Sequence, residues 1–308
     1  MKTAFVFPGQ GSQYAGMGKE ISEHFDAARD VFQEASEVLG YNVADLCFNG
    51  PVEELNITHR TQPCILTVSI ALFQVLEEKG IRPDFVAGHS LGEYSALVAA
   101  GVFSFREAAK LTEKRGQFMQ EAVPEGKGLM AAVLGLEREK VDEICRSVSS
   151  GYAAAANYNC PGQIVIAGEK PAVEEAIQMC KNAGAKRALA LAVSVPSHCL
   201  LMSGASEKLA SLLDTIPFQP PIVPVVNNAD AKLLRSAEEI KPSLVRQLNS
   251  PLLWEDSVKT MKNSGVDIFI EVGPGKVLSG LIKRISPEAQ IFHVEDSKSL
   301  DHTMSVLP

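Results

Sequence analysis

Short apolar runs alternate with longer amphipathic stretches along most of the chain. The first run, TAFVF at 3–7, is cut by Pro8-Gly9 and reads as a buried strand. Helical periodicity follows over about 17–39 and 62–79. A second run, DFVAG at 84–88, turns at His89-Ser90 into the helix-like stretch LGEYSALVAAG. A further helix covers about 105–122 and ends at Pro124-Glu125-Gly126. Strands alternating with helices predict a parallel sheet covered on both faces.

After Gly126 the rhythm changes. GLMAAVLG (128–135) reads as a strand, 137–149 as a helix, and GYAAAANYN (151–159) and QIVIAG (163–168) as two strands joined by Cys160-Pro161-Gly162. A helix over 170–183 and a strand KRALALAV (186–193) complete a β-α-β-β-α-β order, the ferredoxin-like split motif. The chain then returns to the first pattern, with a helix over 200–213 and a strand PIVPVVNN (221–228). Helices over 236–248 and 251–264, a strand DIFIEVG (267–273), a helix after Gly275 and a candidate edge strand QIFHVE (290–295) follow. The expected fold class is α/β: a large α/β-hydrolase-like domain with a parallel sheet (1–125 and 196–308) and an inserted small ferredoxin-like domain (126–195).

Composition narrows the function. The 308 residues are 46% apolar and 21% charged, as in an ordinary globular protein, and the formal charge is −8. A global basic field for nucleic acid is absent, so an anionic partner needs a local patch. The pairs Lys186-Arg187 and Lys283-Arg284 are candidates. Six cysteines occur without CxxC spacing or a His cluster, which argues against a zinc site. No run of about 20 apolar residues predicts a membrane span, and the 3–7 run is too short for a signal peptide. A cytoplasmic protein with reduced thiols is expected.

Gly88-His89-Ser90-Leu91-Gly92 matches G-x-S-x-G between a strand and a helix. In that context small residues permit a sharp turn that exposes a nucleophilic hydroxyl; the bland reading is a turn with a capping Ser. A base is then needed. His89 adjoins Ser90, where neighbours on a tight elbow point apart. His198, in SVPSH before a helix, lies downstream of the nucleophile, as the base does in hydrolases with this elbow. No acid stands out as its partner. The loop Gly9-Gln10-Gly11-Ser12-Gln13 is neither a dinucleotide fingerprint nor a P-loop; it is either a simple tight turn or a source of donors for an oxyanion. Arg115, in the 105–122 helix, has Gly116 beside it, a sign of close approach by another group; solvation remains the default for a helical Arg.

Taken together, FVFPGQGSQ (5–13), Thr61-Gln62-Pro63, GHSLGEYSAL (88–97), RGQFMQEAVPEG (115–126), NYNCPGQIVIAG (157–168), SVPSH (194–198) and EVGPGKVLSGL (271–281) resemble the malonyl-CoA:acyl carrier protein transacylase family of fatty acid synthesis. The resemblance spans essentially the whole chain. It implies Ser90 as nucleophile, His198 as general base, backbone N–H groups of Gln10 and Leu91 as the oxyanion hole, and Arg115 as the site for the malonyl carboxylate. It also implies that the main-chain carbonyl of Gln247 orients His198 in place of an acid. The implied partners are malonyl-CoA and an acyl carrier protein, the mechanism is ping-pong, and no cofactor is required. The nearest rival is a thioesterase or esterase built on the same elbow; Arg115 and the inserted domain argue against it.

Overall fold

The computed structural model describes residues 1–193 and 195–307. β1 (Lys2–Phe7) leads through a glycine-rich loop to α1 (Lys19–His24), α2 (Asp26–Leu39), α3 (Val43–Asn49), α4 (Val52–Leu55) and the long α5 (Thr58–Glu78). β2 (Phe85–Gly88), α6 (Gly92–Ala99) and α7 (Phe105–Ala122) follow. Next come β3 (Gly128–Leu134), α8 (Arg138–Ser147), β4 (Ala153–Cys160), β5 (Gln163–Glu169), α9 (Lys170–Asn182) and β6 (Arg187–Ala190). After a 3-10 turn at Leu200–Met202 the chain forms α10 (Ser203–Leu213), β7 (Val225–Val226), β8 (Leu233–Leu234), α11 (Ala237–Asn249) and α12 (Trp254–Asn263). It ends with β9 (Val266–Val272), α13 (Val277–Ile285), β10 (Gln290–Val294) and α14 (Ser297–Val306).

Two sheets result. The larger has the order β10-β9-β1-β2-β7-β8 and is parallel except for the last pair. The period-two alternation of β1 sends Phe5 and Phe7 to one face, among α2, α5 and α7, and Ala4 and Val6 to the other, with Trp254, Phe269 and Leu281. Both faces are therefore covered, as the continuous apolar runs predict. The smaller sheet, β4-β5-β3-β6, is antiparallel throughout, the order of a ferredoxin-like unit. Its Ala131, Val133, Ile164 and Ile166 pack with α8 and α9, while Met130 and Val165 face the other way.

The two sheets are tied on one side. Tyr158 N donates to Leu252 O (2.9 Å) and Leu252 N to Ala156 O (2.8 Å). Arg138 of α8 pairs with Glu255 (3.0 Å) and Asp256 (2.6 Å) of α12. Arg284 donates to Gln163 Oε1 (2.6 Å) and Pro161 O (2.8 Å), so it is occupied at this junction.

Three local expectations change. The helix expected over 17–39 is interrupted at Phe25, which is extended (φ −127°, ψ 122°). α5 begins at Thr58, not near 62, and runs through Pro63, so His59 and Arg60 are helical. The Pro63 ring removes one helical donor; burial of this apolar helix against α2 and α7 outweighs that loss. The strand expected over 221–228 shrinks to two residues between Pro224 and Asn227, and an unexpected antiparallel partner, β8, joins it. Among the described residues no helix is long and apolar enough to cross a membrane.

Candidate active site

The turn after β2 is built by glycines. A Cβ on Gly88 would lie 1.8 Å from the Gly92 carbonyl carbon, and one on Gly92 would lie 2.0 Å from Phe7 O. Only bare backbone permits this approach of β1, β2 and α6. Ser90 sits at the apex with φ 53°, a left-handed conformation that costs a non-glycine residue energy. Asn228, just past β7, holds the turn: its Oδ1 accepts from Ser90 N (2.8 Å) and its Nδ2 donates to Gly88 O (2.7 Å).

His198 lies across from Ser90, with Nε2 2.8 Å from Ser90 Oγ. Its Nδ1 is 2.7 Å from the main-chain oxygen of Gln247. A carbonyl can only accept, so Nδ1 carries the proton and Nε2 presents its lone pair to the hydroxyl. His198 N also donates to Leu248 O (3.1 Å), which fixes the ring to α11 from two points. Burial, then the positive charge of Arg115, push the imidazole pKa down to about 3. His89 turns away, with its Nε2 2.8 Å from Asn159 Oδ1 on β4.

Arg115 is 1% exposed. α7 is started by a capping box, in which Glu107 N donates to Ser104 Oγ (3.2 Å) and Ser104 N to Glu107 Oε2 (2.8 Å). Gly116 then lets α7 press onto α5, since a Cβ there would be 2.5 Å from His59 Cα. The guanidinium reaches Gln62 Oε1 (2.9 Å) and Met119 Sδ (3.3 Å) through Nη1, and Gln247 Oε1 (3.0 Å) and Ser90 Oγ (3.2 Å) through Nη2. It makes no salt bridge among the described residues. A buried cation held only by neutral groups beside a nucleophile has the chemistry to pair with an anion.

Gln10 and Leu91 flank the same point. Their backbone N–H groups have no hydrogen-bond partner among the described residues, and Leu91 caps the N-terminus of α6. Two free donors, one of them at the N-terminus of a helix, suit a developing oxyanion. The cleft above Ser90 has a volume of about 240 Å³. Gln10, Ser90 and Leu278 line its floor, and Met130, Asn159 and Val165 of the small sheet its roof. α13 is anchored beside it by buried Glu271, which accepts from Leu278 N (3.0 Å) and Ser279 N (2.7 Å).

This is acyl-transfer geometry on an α/β scaffold, and residues 4–296 match the acyl transferase domain family. The chain belongs to that family. A malonyl CoA-acyl carrier protein transacylase from Haemophilus influenzae is 50% identical over 303 residues, covering 97% of each protein. The crystal structure of an acyl carrier protein S-malonyltransferase from Vibrio cholerae aligns with a TM-score of 0.96 at 50% identity, covering 98% of this chain and 100% of that one. A malonyl-transacylase in complex with its type II polyketide acyl-carrier protein aligns at a TM-score of 0.97, also at 50% identity, over 99% of both chains.

All six sequence-derived site residues, Gln10, Ser90, Leu91, Arg115, His198 and Gln247, converge on this acyltransferase cleft. Sequence reasoning missed the groups that hold them: Gln62, Glu93 and Asn228. Asn227-Asn228 did carry a signal, being polar residues directly after an apolar strand, where ligands meet an α/β sheet.

Proposed function

We propose that this acyltransferase moves a malonyl group from malonyl-CoA to the phosphopantetheine thiol of an acyl carrier protein, supplying malonyl-carrier for fatty acid synthesis. The observation that carries the reading is Arg115, a buried cation without a carboxylate partner, 3.2 Å from the nucleophilic hydroxyl. The malonyl carboxylate pairs with its guanidinium and sets the thioester carbonyl over Ser90 Oγ. His198 Nε2 takes the hydroxyl proton as Oγ attacks the carbonyl carbon. The oxyanion points at the Gln10 and Leu91 N–H groups. The tetrahedral intermediate collapses, the C–S bond breaks, and the leaving thiolate takes the proton from His198. The carrier thiol then repeats the steps in reverse on malonyl-Ser90.

Arg115 has a second effect. Its charge weakens His198 as a base in the empty site. A bound carboxylate neutralises that charge, so the base strengthens when the right acyl group is in place. Residues 1–125 with 196–308 form the catalytic domain in this reading, and 126–195 the inserted domain that roofs the cleft. The site of action is the cytoplasm. The test is coenzyme A release with and without holo-carrier: one equivalent per enzyme without it, sustained turnover with it. Sustained release without carrier would make the protein a hydrolase instead.

A further inference from the structure

Glu93 lies one helical turn past the nucleophile in α6, is 0% exposed, and is not among the residues that line the cleft. Its Oε2 accepts from Asn228 N (3.0 Å) and Gln247 Nε2 (2.9 Å). Its Oε1 has no hydrogen-bond partner among the described residues. The Gln247 amide is a relay, because its Oε1 accepts from Arg115 Nη2 while its Nε2 donates to Glu93 and to Ser90 O (2.9 Å). An ionised Glu93 can only accept, so it fixes the amide with its oxygen toward the guanidinium.

We propose that Glu93 is the counter-charge of Arg115 in the empty site and takes up a proton when the malonyl carboxylate replaces it as the partner of Arg115. Charge balance drives this exchange, given the malonyl reading of the site. One buried cation and one buried carboxylate are neutral together. A second carboxylate brings the same volume to a net charge of −1, which a low-dielectric interior resists. The site can restore neutrality by protonating the acid that is not in direct contact with the guanidinium. Unpartnered Glu93 Oε1 is where that proton goes. The other charged and titratable groups acting on Glu93 and its surroundings are fixed. Arg115 comes from α7 and Tyr94 from α6, and Asp230, after β7, is itself paired with Arg246 of α11 (2.5 Å). Burial, opposed by hydrogen bonds from Gln247 and Asn228, holds the Glu93 carboxyl up at about 7, within reach of such a switch. The ester-forming step itself moves the Ser90 proton to the coenzyme A thiol, so any further proton comes from solvent.

The experiment adds excess malonyl-CoA to wild type and to Glu93→Gln in weak buffer at pH 7.5 with an indicator dye. Intact mass on the same samples counts the malonyl adduct. Glu93→Gln keeps the shape and the acceptor oxygen but cannot ionise. Thiol ionisation is common to both proteins and cancels in the difference. Wild type should take up about half a proton or more per adduct beyond Glu93→Gln. Equal uptake with a normal adduct in both overturns this inference alone and leaves the transferase reading standing. No adduct in wild type overturns both.

Discussion

Replacing Arg115 with Ala probes acyl-group selection most sharply. Malonyl-CoA and acetyl-CoA differ by one carboxylate, remote from the carbonyl that Ser90 attacks, so discrimination must come from binding. In this site the guanidinium is 1% exposed and its four hydrogen bonds go to neutral groups. Two of those, to Ser90 Oγ and Met119 Sδ, are the ones a carboxylate would displace. Loss of one partner of a buried, hydrogen-bonded charge pair costs about 2–5 kcal/mol, or roughly 30-fold to several thousand-fold. Arg115→Ala should lower kcat/KM for malonyl-CoA by that factor and spare or raise it for acetyl-CoA. Truncation also strips a bond from Gln62 and Gln247 and lowers Tm, but the ratio of the two substrates on one preparation does not depend on the folded fraction. Arg115→Lys keeps charge and loses the planar fork, so it should restore the ratio only in part. An unchanged malonyl-to-acetyl ratio in Arg115→Ala would refute the assignment.

Further outcomes follow from the same geometry. Gln247→Ala leaves the main-chain oxygen that holds His198, so it should lower malonyl preference through Arg115 while acetyl turnover changes by less than about tenfold; equal losses on both substrates would contradict this. His198 titrates at about 3 in the folded protein, against its ordinary 6.5. The pH profile of kcat/KM for acylation, which reports the free enzyme, should therefore show no tenfold-per-unit loss as pH falls from 7 to 5, and an apparent pKa near 6.5 would count against the buried base. The same shift costs stability as pH falls below 6.5, because the unfolded chain gains a proton there that the folded chain refuses until about pH 3. For carrier docking, Arg284 is engaged with Gln163 and Pro161 and Lys283 with Pro287 O, whereas Lys186 and Arg187 are exposed at the edge of β6. Reversing Lys186 and Arg187 should raise the carrier KM and flatten its salt dependence, with malonyl-CoA KM unchanged.

The sequence was most legible where one local pattern dictates one structure. Apolar runs located β1, β2 and β9, and the start of α7 coincides with its Ser104 cap. Ser90 was readable because the G-x-S-x-G spacing is a steric requirement, visible in the contacts that Gly88 and Gly92 would otherwise make. Periodicity places the start of α5 near 62, with Pro63 in the first turn where proline is tolerated; the helix in fact begins at Thr58, and burial of its apolar length outweighs the donor that Pro63 removes. The Gln247 carbonyl could not be read from residue identity at all, since every residue has that group; the family resemblance supplied it. Glu93 and Asn228 were hidden for another reason. Their partners lie 135 or more positions away in the chain, and no local periodicity reports such a contact.

The central claim is a covalent malonyl group on Ser90 that passes to a carrier thiol. Intact mass of the wild type after mixing with malonyl-CoA tests it directly. One malonyl adduct per chain should form, vanish on adding holo-carrier with a matching gain on the carrier, and be absent in Ser90→Ala. A normal adduct in Ser90→Ala, or an adduct that the carrier cannot remove, would contradict the account.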